Sequence, residues 1–268
     1  MTPPEGLGSV ARLTSIHPTA IVHPKAELGS GISIGPYSVI HEDVAIGDGT
    51  QVSSHVCIEA GTQIGSDCQI YPMAVLGGVP QDLKYDGAPS RVVIGDRNTI
   101  REYVTVNRAT EADGETVIGN DCLLMAYVHL AHNCVLGNGI VLANGVQLGG
   151  HVEVEDCAAV GGLTPVHQFV RIGRMAFVGG LSRVAKDVPP YFLAAGNPLK
   201  VAGINAVGLR RRGIPSEVRL ELKRVYRLLY RSGFNVRQAV EAVRKELEPF
   251  PEVRHLAEFV ENSGRGIS

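Results

Sequence analysis

Tryptophan is absent from this 268-residue chain, and aromatic residues reach only 5%. A core without large rings must be filled by many small and β-branched side chains, which points to a thin, repetitive architecture. No run of about 18 apolar residues occurs, so no membrane-spanning helix is expected. Residues 1–13 hold one late arginine and no continuous apolar stretch, so no secretory signal is read there. The five cysteines are odd in number and lack paired spacing, which argues against a disulfide framework and fits reduced thiols in the cytoplasm. Neither sign of charge dominates: 25 Lys and Arg stand against 27 Asp and Glu, and a net charge of −2 gives no whole-chain case for nucleic acid binding.

Glycine is abundant, at 32 residues, and so is a period of six. Steps of six from residue 16 to residue 184 give 29 positions, of which 26 are Leu, Ile or Val. The exceptions are Asp82, Ala88 and Ala112. A helix wants a period of 3.6 and a plain strand a period of 2, so six fits neither alone. It fits a very short strand, a turn and a short strand again, three such hexads closing a triangular coil of about 18 residues. The aliphatic side chain points inward, and a small residue two positions earlier shares the interior, as at Thr62, Cys68, Cys122 and Cys134. A glycine often follows the aliphatic, as at Gly35, Gly47 and Gly137, and is expected to permit the tight corner. The expected fold is mainly β: a parallel β-helix of hexapeptide repeats, left-handed in the families that share this repeat, over 14–190. Polar segments near 77–92 and 107–116 break the pattern and are read as external loops, where a repeat scaffold commonly carries its binding function.

After Val184 the hexads stop. The stretch "DVPPYFLAAGNPLK" turns the chain, and Val218, Leu222, Val225, Leu228 and Leu229 then follow a helical period. Ser216 is expected to cap this helix and Gly233 to end it, with two more helices near 236–247 and 252–263. Residues 191–268 thus read as an α-helical C-terminal domain that covers the last coil. Residues 189–268 hold 14 Lys and Arg against 8 Asp and Glu, whereas residues 1–188 hold 11 against 19. That basic end suits an acidic partner or ligand.

Residues 18 apart fall above one another at roughly the 4.8 Å strand spacing. His132, Gly150 and Gln168 then form one column, Asn133, His151 and Phe169 a second, and Ala131, Gly149 and His167 a third. With His129, four of the nine histidines gather at one outward, open corner beside exposed glycine N–H groups. Three chemistries fit: an imidazole base with an N–H oxyanion site, a three-histidine zinc site, or packing against a neighbour. No carboxylate is expected in this patch to support metal ligands. His23, His41 and His55 lie in early coils without such clustering and read as scaffold.

The segments "AYVHLAHNC", "LGGHVEVED", "TPVHQF", "QDLKYDGAPSRV", "VGGLSRVAKDVPPY" and "GLRRRG" resemble the UDP-N-acetylglucosamine acyltransferase family, which opens lipid A synthesis. The resemblance runs from about residue 14 to the C-terminus. It implies transfer of an (R)-3-hydroxyacyl group from acyl carrier protein to the glucosamine 3-hydroxyl of UDP-N-acetylglucosamine, with neither metal nor cofactor. It implies His132 as general base, the Gly150 N–H as oxyanion donor and His129 against the substrate. It places Asp82 and Lys84 on sugar and acyl donor, and His151, His167 and Gln168 on the nucleotide sugar. Asn205, Arg211 and Arg212 are to hold uridine and phosphates, and Gly180 to leave a long acyl pocket. It also implies a cytoplasmic homotrimer with the site in a groove between subunits. Asn133 stands where the family usually has Asp, so charge beside the base is missing, and Val207 stands where Glu is frequent. Three rivals are an amide-forming transfer to a 3-amino sugar nucleotide, a later N-acyltransferase of the same pathway and a non-catalytic solenoid. The N-acyltransferase would carry an additional N-terminal domain, for which thirteen residues leave no room.

Overall fold

A computed structural model describes residues 13–268. The reading of the first thirteen residues as free of a signal falls outside them except for Leu13. The hexads form the expected left-handed parallel β-helix. Each hexad supplies a strand of about two residues, and Leu123–Leu124, His129–Leu130 and Val135–Leu136 make one turn of the coil. Strands one coil apart pair in parallel, so three flat faces result. The first face begins at Ser15–Ile16, the second at Ile21–Val22 and the third at Glu27–Leu28. Leu123 pairs with Val141, His129 with Gln147 and Val135 with Glu153, a step of 18 on every face.

The second residue of each strand points inward. Ile100, Leu124, Leu130 and Leu142 are fully buried, and Cys68, Cys122 and Cys134 fill the small inward positions between them. Full burial stabilises each such aliphatic by about 1.5–3 kcal/mol over exposure.

Glycine sits where expected but for a different reason. The left-handed backbone conformation falls two residues later, on residues such as Tyr37, Asp43 and His55. Gly35 and Gly47 are needed because coils approach closely: a Cβ there would lie 2.7 Å from Ser53 C or 2.6 Å from Gly65 C.

Both loops leave the edge between the second and third faces. The first joins Val75–Gly78 to Arg91–Ile94 and the second joins Thr105–Asn107 to Glu115–Ile118, so both are shorter than the pattern suggested. Val75 pairs with Thr105, a step of 30, and Thr105 with His129, a step of 24. Against 18, the loops insert 12 and 6 residues, which is why the period survives them.

Past residue 190 the chain is not yet helical. Phe192–Ala195 and Lys200–Ile204 extend the first face, the latter antiparallel. Four helices follow: α1 (Ala206–Arg211), α2 (Ser216–Tyr230), α3 (Val236–Glu246) and α4 (Pro251–Glu261). Helix α1 has too few residues to show a period and was not expected. Ser216 does not cap α2: Pro215 holds the N-cap position, and the Ser216 hydroxyl turns to Glu217 at 3.1 Å. Gly233 lies three residues beyond α2, in a left-handed turn. The tail is tied to the last coil by Ser263 donating to Asp187 at 2.7 Å and by His255, between the Tyr191 hydroxyl at 3.0 Å and Glu155 at 3.1 Å.

Leu124→Ala, far from the loops, is expected to cost about 2–5 kcal/mol through lost burial and an unfilled cavity. Urea unfolding at fixed protein concentration reads this as a lower midpoint; an unchanged midpoint would show that the interior is not close-packed there.

Candidate active site

The edge between the second and third faces collects the histidines. The register of 18 sets the His132 ring directly over Gly150, where a Cβ would lie 2.5 Å from the ring Cε1 and 2.6 Å from Nε2. Only glycine fits beneath this imidazole. The His151 ring meets His132 edge-on at 5.2 Å and stacks on Phe169 at 4.6 Å. His167 and Gln168 follow one coil on, both exposed, with His167 Nδ1 at 3.0 Å from the Gln168 carbonyl. His129 projects from the second face and bonds the Thr105 hydroxyl at 2.7 Å. Burial pushes the His129 imidazole below its ordinary pKa, and burial followed by nearby His132 does the same to His151.

One hydrogen bond fixes what His132 can do. Its Nδ1 lies 2.8 Å from Asn133 Oδ1. The backbone N–H of Thr110 donates to that same oxygen at 3.2 Å, which settles the orientation of the amide, because an amide nitrogen could not accept it. Nδ1 must therefore carry the proton, and Nε2 is left as the basic lone pair. Asn133 is itself anchored: it is buried, takes the left-handed backbone that asparagine tolerates, and donates its N–H to Thr116 at 2.8 Å.

The loops close over this edge. The first brings Asp82 Oδ2 to 3.7 Å from His132 Nε2, and the second brings Glu111 Oε1 to 2.7 Å from Asn133 Nδ2. The expectation of a patch without carboxylates is therefore wrong; loop tips carry no period, so stacking could not place them. The patch is also less open than expected: the His132 side chain is only 12% exposed. Lys84, on the same loop, is exposed, and its N–H donates to Asp82 Oδ1 at 2.9 Å. Thr105, Thr110, Thr116 and Glu111 join the site without a signal in the sequence.

A free donor faces the edge. Where the third face meets the first, Asp or Asn stands two residues after the inward aliphatic and accepts the N–H one coil earlier. Examples are Asp156 Oδ1 from Asn138 N at 2.8 Å and Asn138 Oδ1 from Asn120 N at 2.8 Å. At the histidine edge the equivalent acceptor position above Gly150 is Gln168, and its side chain makes no such bond. The Gly150 N–H consequently has no hydrogen-bond acceptor among the described residues.

The remaining expected residues lie elsewhere on the chain. Arg211, Arg212 and Val207 line a cleft of about 770 Å³ against Ala159, Phe177 and Leu193 of the first face. Asn205 borders it too, but its Oδ1 accepts from Gly208 N and its Nδ2 donates to the Met175 carbonyl, so the side chain caps α1. Gly180 lies on the edge between the first and second faces, 3.2 Å by its Cβ position from the Gly162 carbonyl. One chain thus separates the histidines from the two arginines. Among the described residues, the one group of ligand atoms close enough to share an ion is His41, Cys57 and Glu59, not the histidine patch. His41 is therefore not isolated, but these three groups already bond one another, with Cys57 Sγ at 3.3 Å and His41 Nε2 at 3.6 Å from Glu59.

A model of the UDP N-acetylglucosamine O-acyltransferase second domain matches residues 187–268, and a bacterial transferase hexapeptide model of six repeats matches 115–150. An acyl-[acyl-carrier-protein]–UDP-N-acetylglucosamine O-acyltransferase of Janthinobacterium sp. (strain Marseille) is 50% identical over 260 residues, covering 95% of this chain and 99% of that relative. The chain belongs to the UDP-N-acetylglucosamine O-acyltransferase family. A family member from Bacteroides fragilis 9343 has a crystal structure that superposes with a TM-score of 0.93 at 40% identity, covering 94% of this chain and 99% of that one. The Arabidopsis enzyme superposes at 0.85 with 34% identity, over 94% of this chain and 99% of its own. The family names O-acyl transfer, which removes the non-catalytic solenoid from consideration and favours ester over amide formation.

Gly150→Ala puts a methyl group into the His132 ring. Turnover is expected to fall at least roughly tenfold, as for a misplaced imidazole, while circular dichroism and the melting temperature stay near wild type. Undiminished turnover would show that this ring contact is catalytically idle.

Proposed function

We propose that the protein moves an (R)-3-hydroxyacyl group from acyl carrier protein to the glucosamine 3-hydroxyl of UDP-N-acetylglucosamine, with His132 as general base. Family membership makes the chain an acyl carrier protein-dependent O-acyltransferase of lipid A synthesis. The observation that carries the mechanism is the contact of His132 Nδ1 with Asn133 Oδ1, which assigns the ring proton to Nδ1 and leaves Nε2 free to take another. Nε2 removes the hydroxyl proton as the sugar oxygen attacks the thioester carbonyl carbon. Negative charge collects on the carbonyl oxygen, and the unpaired Gly150 N–H is its donor. The intermediate collapses to an ester, the C–S bond breaks, and the carrier's thiolate takes back the proton from His132. Asp82 and Lys84 reach sugar and acyl donor from the loop; His129, His151, His167 and Gln168 line the sugar nucleotide. No step in this sequence calls for a metal or cofactor.

Arg211 and Arg212 suit the phosphates, since a planar guanidinium matches phosphate oxygens, with Asn205 shaping the uridine end of their cleft. Their separation from His132 within one chain supports a site completed by a second copy, hence a homotrimer with closed symmetry. The edges fit that assembly. The edge between the first and second faces is a ridge of exposed Tyr37, Met73, Tyr103, Tyr127, Leu163 and Leu181, the last 74% exposed. So long an apolar ridge asks for cover, and another copy of the same prism supplies a flat face. Gly180 lies on this ridge and leaves room for a long acyl chain. The β-helix over 14–190 and the basic segment over 191–268 divide the work, the latter meeting the acidic carrier protein. No helix among the described residues is long and apolar enough to cross a membrane, and the proposed place of work is the cytoplasm, where both substrates would be met.

The decisive assay incubates wild type and His132→Ala with 3-hydroxyacyl carrier proteins of several chain lengths and UDP-N-acetylglucosamine. Wild type is expected to transfer the longer chains best and His132→Ala to lose roughly a hundredfold or more. Full transfer by the variant overturns the base, and preference for the shortest chain overturns the role of Gly180. The shared site is tested by co-expressing His132→Ala with Arg211→Ala. Random assembly places both intact halves at about a quarter of the interfaces, so activity should return to about a quarter of wild type. No recovery would place both residues in one chain's site.

A further inference from the structure

We propose that Glu111 is a positioning residue for His132, supplying through the Asn133 amide the negative charge that Asn133 itself lacks. This rests on the reading of His132 as the base.

The direction of every bond in the chain is forced. A carboxylate only accepts, so Asn133 Nδ2 donates to Glu111 Oε1 at 2.7 Å. Asn133 Oδ1 therefore faces the other way and accepts from His132 Nδ1 at 2.8 Å. The Thr110 N–H holds the same oxygen at 3.2 Å, and the Thr110 hydroxyl sits between the two groups, 2.9 Å from Glu111 Oε2 and 3.1 Å from Asn133 Oδ1. The loop is shaped for this. Glu111 closes a turn in which Gly114 N donates to its carbonyl at 3.0 Å. A Cβ at 114 would lie 2.8 Å from the Glu111 carboxyl carbon, so glycine leaves the space the side chain occupies. The carboxyl is held below its ordinary range, first by the Asn133 hydrogen bond, so it is charged at neutral pH.

The charge matters at one moment. When Nε2 takes the sugar proton, the ring becomes a cation, and a neutral amide offers only its dipole. Two carboxylates bear on the ring, one beside it and one through Asn133. Asp82 stands at 3.7 Å on the Nε2 side, where the substrate hydroxyl must come, so it cannot remain the ring's fixed counter-charge through the reaction. Glu111 stands beyond Nδ1, away from the substrate, and stays in place through proton uptake and return. His151 stands edge-on to the ring at 5.2 Å, and a charge on it would oppose the cation. Because Glu111 borders solvent, the effect is modest and salt-dependent.

Glu111→Gln keeps the acceptor oxygen and removes the charge. Its kcat is expected to fall about tenfold, with KM for both substrates unchanged and the acidic limb of the pH–rate profile moved to lower pH. Adding Asn133→Asp in the same chain puts a carboxylate directly on Nδ1 and is expected to restore most of the loss. A kcat within twofold of wild type, a rise in KM instead, or a double variant no faster than Glu111→Gln would each overturn the role. His132→Ala run alongside separates the two readings. If it retains full activity, the base is wrong; if it is dead while Glu111→Gln is normal, only the role of Glu111 falls.

Discussion

Everything in this molecule depends on the burial of one aliphatic side chain every sixth residue. Those side chains, fully buried at positions such as Leu124, Leu130 and Leu142, hold successive coils at hydrogen-bonding distance and lock the register at 18. A one-residue slip would turn every inward side chain outward, so the register is strongly specified. Chemistry inherits that precision. His132 lies over Gly150 because Leu130 lies over Leu148, and its ring has room only because position 150 lacks a Cβ.

The three edges of the prism are specialised by which side chains stack along them. One is sealed by aspartate and asparagine oxygens that cap backbone N–H groups coil after coil. One is a ridge of exposed apolar side chains. The third breaks the capping rule, throws out two loops and gathers four histidines. A backbone donor left unpaired at an edge costs little in solvent, and among the described residues the Gly150 N–H is such a donor. The same local geometry is therefore capped on one edge and left open on another.

Most of the fold and part of the site can be read from the chain alone, for a physical reason. Periodic residues have positions that arithmetic predicts, so the columns of His132 with Gly150 and of Asn133 with His151 are legible in the sequence. Loop tips have no period. Hence Asp82 could not be placed against the ring nor Glu111 against Asn133, and the patch looked free of carboxylates. Helix α1 spans under two turns and shows no apolar stripe, and Ser216 resembles a cap until the proline before it takes that position. Asn205 lines the cleft of Arg211 and Arg212 and also caps α1, a second task that its place in the sequence does not reveal. Asn133 changes most: in the sequence it is a neutral residue where a charged one is expected, and in the fold its amide bonds both the His132 ring and the Glu111 carboxylate.

The two loop insertions, of 12 and 6 residues, have a further consequence. The inward positions of later coils are set by where the chain re-enters the stack, not by how many residues lie outside it: Val75 still pairs with Thr105, and Thr105 with His129. Loop length is thereby uncoupled from coil alignment, and the segments over the His132 ring can lengthen or shorten without moving the columns beyond them.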